Sequence, residues 1–464
     1  MTTDIRRTLA VAFTMLAAGV APAASQAGVT PAHTPAFAPP AWTRHSTIYE
    51  INVRQYTPQG TFAALRTHLS RLRNMGVDIV WVMPVQPIGK VSRKGGLGSP
   101  YSVSDYRAIN PEYGTTADFI AFVGDAHRRG IKVILDWVPN HTSFDHAWIT
   151  KHPDWYVHRK DGSISYALDG EHKETDWTDV AALNYDNHDM RRAMIADMTY
   201  WLDTAHIDGF RCDVAGGPAL DFWPEARSAL QKVRPDLFML AEAEGPQFYP
   251  SFDMTYGWEF HHLLNELAQR KQPTSALDTY FAKEDRTYPA GAFRMYFTSN
   301  HDENSWNGSE FERMGENHAP AYILSATIRS SMPLLYTGQE ASMHKRLRFF
   351  EKDTVDWKGP SLAPFYTAVF SLKHSQDALS NGTWGGTQTV LKTDGGDRVY
   401  AFSRTRGGNT VVVAVNFGDD ALHAAYSGFA KPGAYRDWFA KSSTILGASG
   451  RIDIPAHGYR VLVQ

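Results

Sequence analysis

Four short stretches of this 464-residue chain carry the groups that could do chemistry. Asp136, Asn140 and His141 stand together in "DWVPNH". Arg211 and Asp213 flank the single cysteine, Cys212, in "GFRCDVAGG". Glu242 follows the apolar run "LFMLA", with Glu244 two residues on, and Asn300, His301 and Asp302 fall in "FTSNHDEN". Two chemistries use such a set. One is metal binding by Asp136, His141, His301 and Asp302. Histidine ligands usually come in closer local pairs, and no His-x-His occurs in these stretches. The other is cleavage of a glycosidic bond, which needs one carboxylate nucleophile and one protonated carboxyl. Arg211 beside Asp213 favours an ionised nucleophile. Burial behind an apolar strand, with other carboxylates nearby, raises Glu242 as a general acid requires. Asp302 would then grip sugar hydroxyls, and neutral His141 and His301 would donate hydrogen bonds to the same sugar.

These groups need a scaffold that gathers them. "TIYEINV", "VDIVWVMPV", "IKVILDWVPNH", "IDGFRCDV", "LFMLAEAEG", "FDMTYGW", "RMYFTSNHDEN" and "MPLLYTGQE" read as eight strands, several of them continuous apolar runs of the kind buried on both faces. Helical spacing fills the intervals: Phe62, Leu65, Leu69, Leu72 and Met75 predict one helix closed by Gly76. This alternation is the pattern of a (β/α)8 barrel, an α/β fold in which all strand C-termini meet on one face. Strand alternation puts Arg211 and Asp213 on one side and Phe210, Cys212 and Val214 on the other. Cys212 therefore reads as a small buried hydrophobe and not as a catalytic thiol.

The rhythm breaks over residues 142–187, a polar, aromatic-rich insertion, and again from about residue 382, where short strand-like runs and the turn "RGGN" predict an antiparallel β-sandwich over 382–464. The barrel then occupies 41–141 and 188–381. Residues 1–27 have a basic start, an apolar stretch and small residues suited to cleavage, which predicts a secretory signal peptide and export to the periplasm or beyond. Residues 28–40 read as a Pro-rich linker. No later run is long and apolar enough to span a bilayer. Net charge is −3 with scattered basic residues, which argues against a nucleic-acid partner. One cysteine excludes an internal disulfide or a Cys-based metal site. Aromatic content of 12% is mostly core packing, with stacking on sugar rings or bases as its functional reading.

Taken together, the motifs resemble the α-amylase family of glycoside hydrolases. "DWVPNH", "GFRCDVA", "MLAEAEG" and "FTSNHDEN" are similar, in order, to its four conserved regions. "GSPYSVSDYRAINPEYG" resembles the loop after its second strand, and "MPLLYTGQE" its eighth strand. The resemblance implies a retaining mechanism on α-glucosidic bonds, with Asp213 as nucleophile, Glu242 as acid and then base, and Asp302 stabilising the transition state. It also implies that Arg211 positions Asp213, that His141, His301 and Tyr101 bind the sugar at the cleaved position, and that Asp136 and Asp105 support them. Residues 142–187 correspond to the family's domain B and the β-rich end to its domain C. The substrate implied is an α-glucan or malto-oligosaccharide. "AALNYDN" is closer to neopullulanase-like and oligosaccharide-cleaving members. α-1,6 cleavage, glucosyl transfer, non-catalytic glucan binding and metal-dependent hydrolysis stay open. Many members carry Lys-His three and four residues after the nucleophile; here Gly216 and Gly217 stand, which reads as an open leaving-sugar side. No cofactor is required, but calcium stays open, with Asn140 as its candidate ligand. Oligomeric state is not legible.

Overall fold

The structure, a computed structural model, describes residues 38–464. The signal-peptide reading and nearly all of the linker lie outside the described residues. Eight parallel strands close a barrel. They are β1 (Ile48–Ile51), β2 (Ile79–Val82), β3 (Lys132–Trp137), β6 (Gly209–Cys212), β7 (Phe238–Ala241), β8 (Met254–Tyr256), β9 (Phe293–Tyr296) and β10 (Ser331–Tyr336). The circular order is β1-β10-β9-β8-β7-β6-β3-β2. Two short strands, β4 (His141–Ser143) and β5 (Val180–Ala182), pair antiparallel at the base of the inserted segment.

Alternation sorts the strand side chains into two clusters. Ile48, Ile79, Trp81, Ile134, Leu240, Met254, Tyr256 and Leu334 fill the barrel. Tyr49, Val80, Val82, Leu135, Phe210 and Cys212 face the surrounding helices. Both sets are removed from water, so the strands must be apolar throughout, and the few polar residues on the inner face are conspicuous. The helix predicted through Phe62 to Met75 is two, Phe62–Arg66 and Leu69–Met75. Thr67 interrupts it: its hydroxyl and its N–H both turn back to the Ala64 carbonyl. Gly76 ends the second helix at φ +100°, a conformation costly for any residue with a Cβ.

The C-terminal strands are β11 (Thr387–Thr393), β12 (Val399–Arg406), β13 (Asn409–Asn416), β14 (Leu422–Ser427), β15 (Gly433–Asp437), β16 (Ser443–Leu446), β17 (Ser449–Ile454) and β18 (Gly458–Val463). They form an antiparallel sheet ordered β16-β15-β18-β13-β12-β11-β14-β17. Tyr400, Phe402, Val411, Val413 and Val415 join the main core, while Val399, Ala401, Val412 and Ala414 join a separate cluster with Tyr426 and Leu446. Asn381 also ties this region to the barrel's base, its Nδ2 donating to the carbonyls of Thr43 and Ser46.

Candidate active site

The barrel brings the polar strand ends together around one side chain. Arg211, on β6, is fully buried. Its Nη1 donates to Asp136 Oδ1 at 2.9 Å and to Asp213 Oδ1 at 2.8 Å. Its Nη2 lies 2.6 Å from Glu242 Oε1 without the alignment of a hydrogen bond, and its Nε donates to Tyr256 Oη at 3.0 Å. Register explains the first contact: Asp136 on β3 pairs directly with Arg211 on β6. The rings of Trp81, Tyr256 and Tyr101 lie 4.9, 5.5 and 5.7 Å from the guanidinium carbon.

One guanidinium thus serves three carboxyl groups, and their surroundings set them apart. Asp136 accepts from Arg211, from Trp81 Nε1 at 3.0 Å and from Tyr101 Oη at 3.0 Å. Three donors fix it as the anion, although burial pushes it upward. Burial also pushes Asp213 upward, and the Arg211 contact opposes that. Glu242 is pushed furthest toward the neutral acid, first by burial and then by the charges of Asp213 and Asp302, with Arg211 acting against them. The arrangement holds two aspartates as anions and Glu242 as the proton carrier.

Backbone geometry locks that carrier in place. Val214, directly after the nucleophile candidate, has φ +40°, a strained conformation for a β-branched residue. Its N–H donates to Glu242 Oε2 at 2.8 Å, and the Ala215 N–H donates to the Glu242 carbonyl at 3.2 Å. The strain is the cost of turning an amide back onto β7.

His141 and His301 both reach the site, but in different protonation states. Burial pushes His141 down to about 4, so it is neutral; its ring stands edge-on to Trp177, centroids 5.9 Å apart. His301 differs from the neutral form expected above. Burial lowers it, but Asp302 and Glu50 outweigh burial and lift it to about 9. Hydrogen bonding gives the same answer. Nδ1 faces Glu50 Oε1 at 2.5 Å, and Nε2 lies 2.8 Å from Tyr101 Oη, whose one proton goes to Asp136. Both ring nitrogens therefore carry hydrogen. Tyr101 stacks on His301 with centroids 5.4 Å apart. Asp302 is partly exposed, its Oδ2 3.3 Å from His301 Nε2, and Asn300 Oδ1 accepts from the Glu303 N–H at 2.8 Å.

Sequence reasoning missed Glu50, Trp81, Tyr256 and the Val214 amide. Glu50 had a signal: it is the one charged residue in "TIYEINV". The Val214 amide had none, because its role is a backbone angle.

Family models match two regions: one described as the α-amylase catalytic domain, over residues 41–363, and one as the α-amylase C-terminal all-beta domain, over residues 391–460. The chain belongs to the α-amylase family. An α-amylase of Haloarcula japonica is 30% identical over 82% of this chain and 56% of its own length. An α-1,4-glucan:maltose-1-phosphate maltosyltransferase of Salinibacter ruber is 28% identical over 82% of this chain and 61% of its own. The chain spans less than two thirds of these curated relatives. Among solved structures, an α-amylase from Lactobacillus plantarum superposes with a TM-score of 0.81 at 29% identity, covering 91% of this chain and 99% of that one. A noncanonic maltogenic α-amylase from Thermotoga neapolitana gives 0.81 at 26% identity, covering 90% and 98%.

Two expectations drawn from the α-amylase resemblance need correction. Asp105 does not join the site: it is exposed, and its carboxylate accepts from the Arg107 N–H at 2.9 Å, closing its own turn. Gly217 is not an opening. A Cβ there would lie 2.0 Å from Asn140 Oδ1, and one on Gly216 would lie 3.6 Å from Gly170 Cα, so the loop is packed under the inserted segment. Asn140 is engaged as a bracket, its Nδ2 donating to the Leu168 carbonyl at 2.7 Å while Oδ1 lies against Gly217. Calcium takes six to eight oxygens, usually with carboxylates among them. Among the described residues no group of three or more His, Cys, Asp or Glu side chains is placed to hold a metal ion. No described helix is long and apolar enough to cross a membrane.

Proposed function

We propose that this chain is a retaining α-glucan hydrolase that cleaves α-1,4-glucosidic bonds in malto-oligosaccharides or starch. The observation that carries the reading is Arg211 shared between an anionic Asp213 and a Glu242 held neutral. In the first step an Asp213 carboxylate oxygen attacks the anomeric carbon and the bond to the leaving oxygen breaks. Glu242 gives that oxygen its proton, so the departing sugar leaves as a neutral alcohol. In the second step Glu242, now a carboxylate, takes a proton from water as the water oxygen attacks the same carbon, and Asp213 is released. The positive charge that builds on the ring is met by Asp213 and Asp302. His141 and His301, with Tyr101 beneath, position the sugar.

A second reading is transfer of the glycosyl unit to a sugar in place of water. The maltosyltransferase of Salinibacter ruber among the relatives favours keeping it. The N-terminal pattern supports export, and mass spectrometry of the mature chain's first residue tests that. Product analysis on maltotriose, maltoheptaose, starch, pullulan and trehalose tests the activity. Shorter maltosaccharides alone support α-1,4 hydrolysis. Products longer than the substrate support transfer, and release of maltotriose from pullulan supports α-1,6 cleavage. Absence of turnover on the whole series overturns the enzymatic reading.

A further inference from the structure

We propose that Arg313 is a positioning residue for Asp302, its guanidinium bracing both ends of the segment that carries that carboxylate. The inference rests on the α-glucan reading above and assigns one further residue to it.

The three carboxyl groups named for the chemistry are not held alike. Asp213 accepts from Arg211, and Glu242 accepts from the Val214 N–H. The Asp302 carboxylate accepts no hydrogen bond among the described residues, and its one ion-pair contact is His301 Nε2 at 3.3 Å. Its place is therefore set by its backbone. That backbone leaves β9, passes through Asn300, His301 and Asp302, and enters a π-helical turn, Glu303–Asn307. Such turns have poorer hydrogen-bond geometry than an α-helix and recur at functional sites.

Arg313, on the short helix Glu310–Met314, lies behind this segment. Its Nη2 donates to the Thr298 carbonyl at 2.6 Å, just past the end of β9. Its Nε donates to the Gly308 carbonyl at 3.0 Å, where the π-turn ends. Its Nη1 lies 3.6 Å from Glu303 Oε2, on the residue directly after Asp302. One planar fork thus meets the start, the middle and the end of the segment. It makes no hydrogen bond or ion pair with Asp213, Glu242 or Asp302, so it acts only through the backbone.

The brace is anchored in turn from the helix Trp258–Ala268. Arg313 Nη1 donates to Asn265 Oδ1 at 2.7 Å. From the same helix, His261 Nε2 lies 3.1 Å from Glu303 Oε2 and Nδ1 lies 3.0 Å from the Phe297 carbonyl. The Arg313 side chain is only 8% exposed, so water does not stand in for these contacts. A lysine there has a single charged nitrogen and cannot span both carbonyls from one plane.

The test reads Arg313→Gln and Arg313→Lys on maltoheptaose. Arg313→Gln should lower kcat about 100-fold, the scale of a misplacement of about 1 Å, with KM within about threefold. Arg313→Lys should recover part of that loss. In an Asp302→Asn background Arg313→Gln should cost no further kcat, because the carboxylate it places has gone. A second readout needs no turnover. Burial lowers His301, but Asp302 and then Glu50 lift it to about 9. With Asp302 released, NMR of the imidazole should show His301 titrating lower in Arg313→Gln. An unmoved kcat, an equal loss in both backgrounds, or an unmoved His301 each overturns the assignment. Should Arg313→Gln fail to fold, Arg313→Lys carries the same comparisons with smaller shifts. Wild-type inactivity on every α-glucan overturns the parent reading instead, and the His301 titration then decides Arg313.

Discussion

Glu50 and His301 form a buried pair, with Glu50 Oε1 2.5 Å from His301 Nδ1. Neither residue is near the other in sequence; they meet because β1 and the end of β9 both flank β10 in the closed barrel. Together with Asp302, Glu50 holds His301 as a cation.

Glu50→Gln keeps the shape and removes the charge. His301 should then titrate below its present value of about 9, as read by NMR of the imidazole. The sign follows from linkage: a raised histidine stabilises the fold fully below its ordinary value of 6.5, and that contribution is lost as pH rises through about 9. The gap in Tm between wild type and variant should therefore close as pH rises into alkali, where His301 loses its proton. A gap independent of pH would count against the pair.

Asp213→Asn should reduce turnover by at least about 1,000-fold, the scale seen when a covalent nucleophile is removed, while calorimetry still detects maltoheptaose binding. Near-normal turnover in this variant would sink the mechanism.

The pH–rate profile should be a bell displaced toward neutrality. Asp213 must be ionised, and burial raises it, so activity is lost on the acid side at higher pH than for a free aspartate. Glu242 must be protonated, and burial with neighbouring carboxylates raises it more, so activity persists through neutral pH and falls in alkali. A basic limb at the ordinary glutamate value of 4.5 would contradict the assignment.

Cys212 is fully buried in the main core, close to Tyr185, and burial pushes its thiol well up. Cys212→Ser should keep kcat within about threefold yet cost about 1–3 kcal/mol of stability, the range for a buried hydroxyl without a partner. Denaturant melts and steady-state rates read the two effects separately.

Gly217→Ala should destabilise the fold by about 1–3 kcal/mol, as overpacking does, because its Cβ would strike Asn140. Adding Asn140→Ala should return part of that loss, which a double-mutant cycle measures. A chelator should leave turnover unchanged; loss of activity reversed by added calcium would show that the fold holds that ion.

Much of the barrel was legible because strands buried on both faces must be apolar, and a polar residue at such a strand's end stands out. Asp136, Arg211, Glu242 and His301 were visible for that reason. The rest depended on register and backbone. That Arg211 meets Asp136 follows from which strands pair, and that Val214 clamps Glu242 follows from one left-handed φ. Asp105 misled because a turn-closing aspartate and a site aspartate look alike in sequence. Gly217 misled because an absent side chain can mean space or its opposite, and only the neighbour, Asn140, decides. The kink at Thr67 lay in a side chain's choice of acceptor, which apolar spacing does not encode.

The single guanidinium of Arg211 has an evolutionary consequence. Because Asp136, Asp213 and Glu242 all lean on it, their effects are epistatic, and the loss of one changes what the others are worth. A single substitution at any one of them leaves the other two with a changed balance of charge. The loops that carry Tyr101 and Val214 share in that dependence, because each holds one of the carboxyl groups gathered on the common counter-ion.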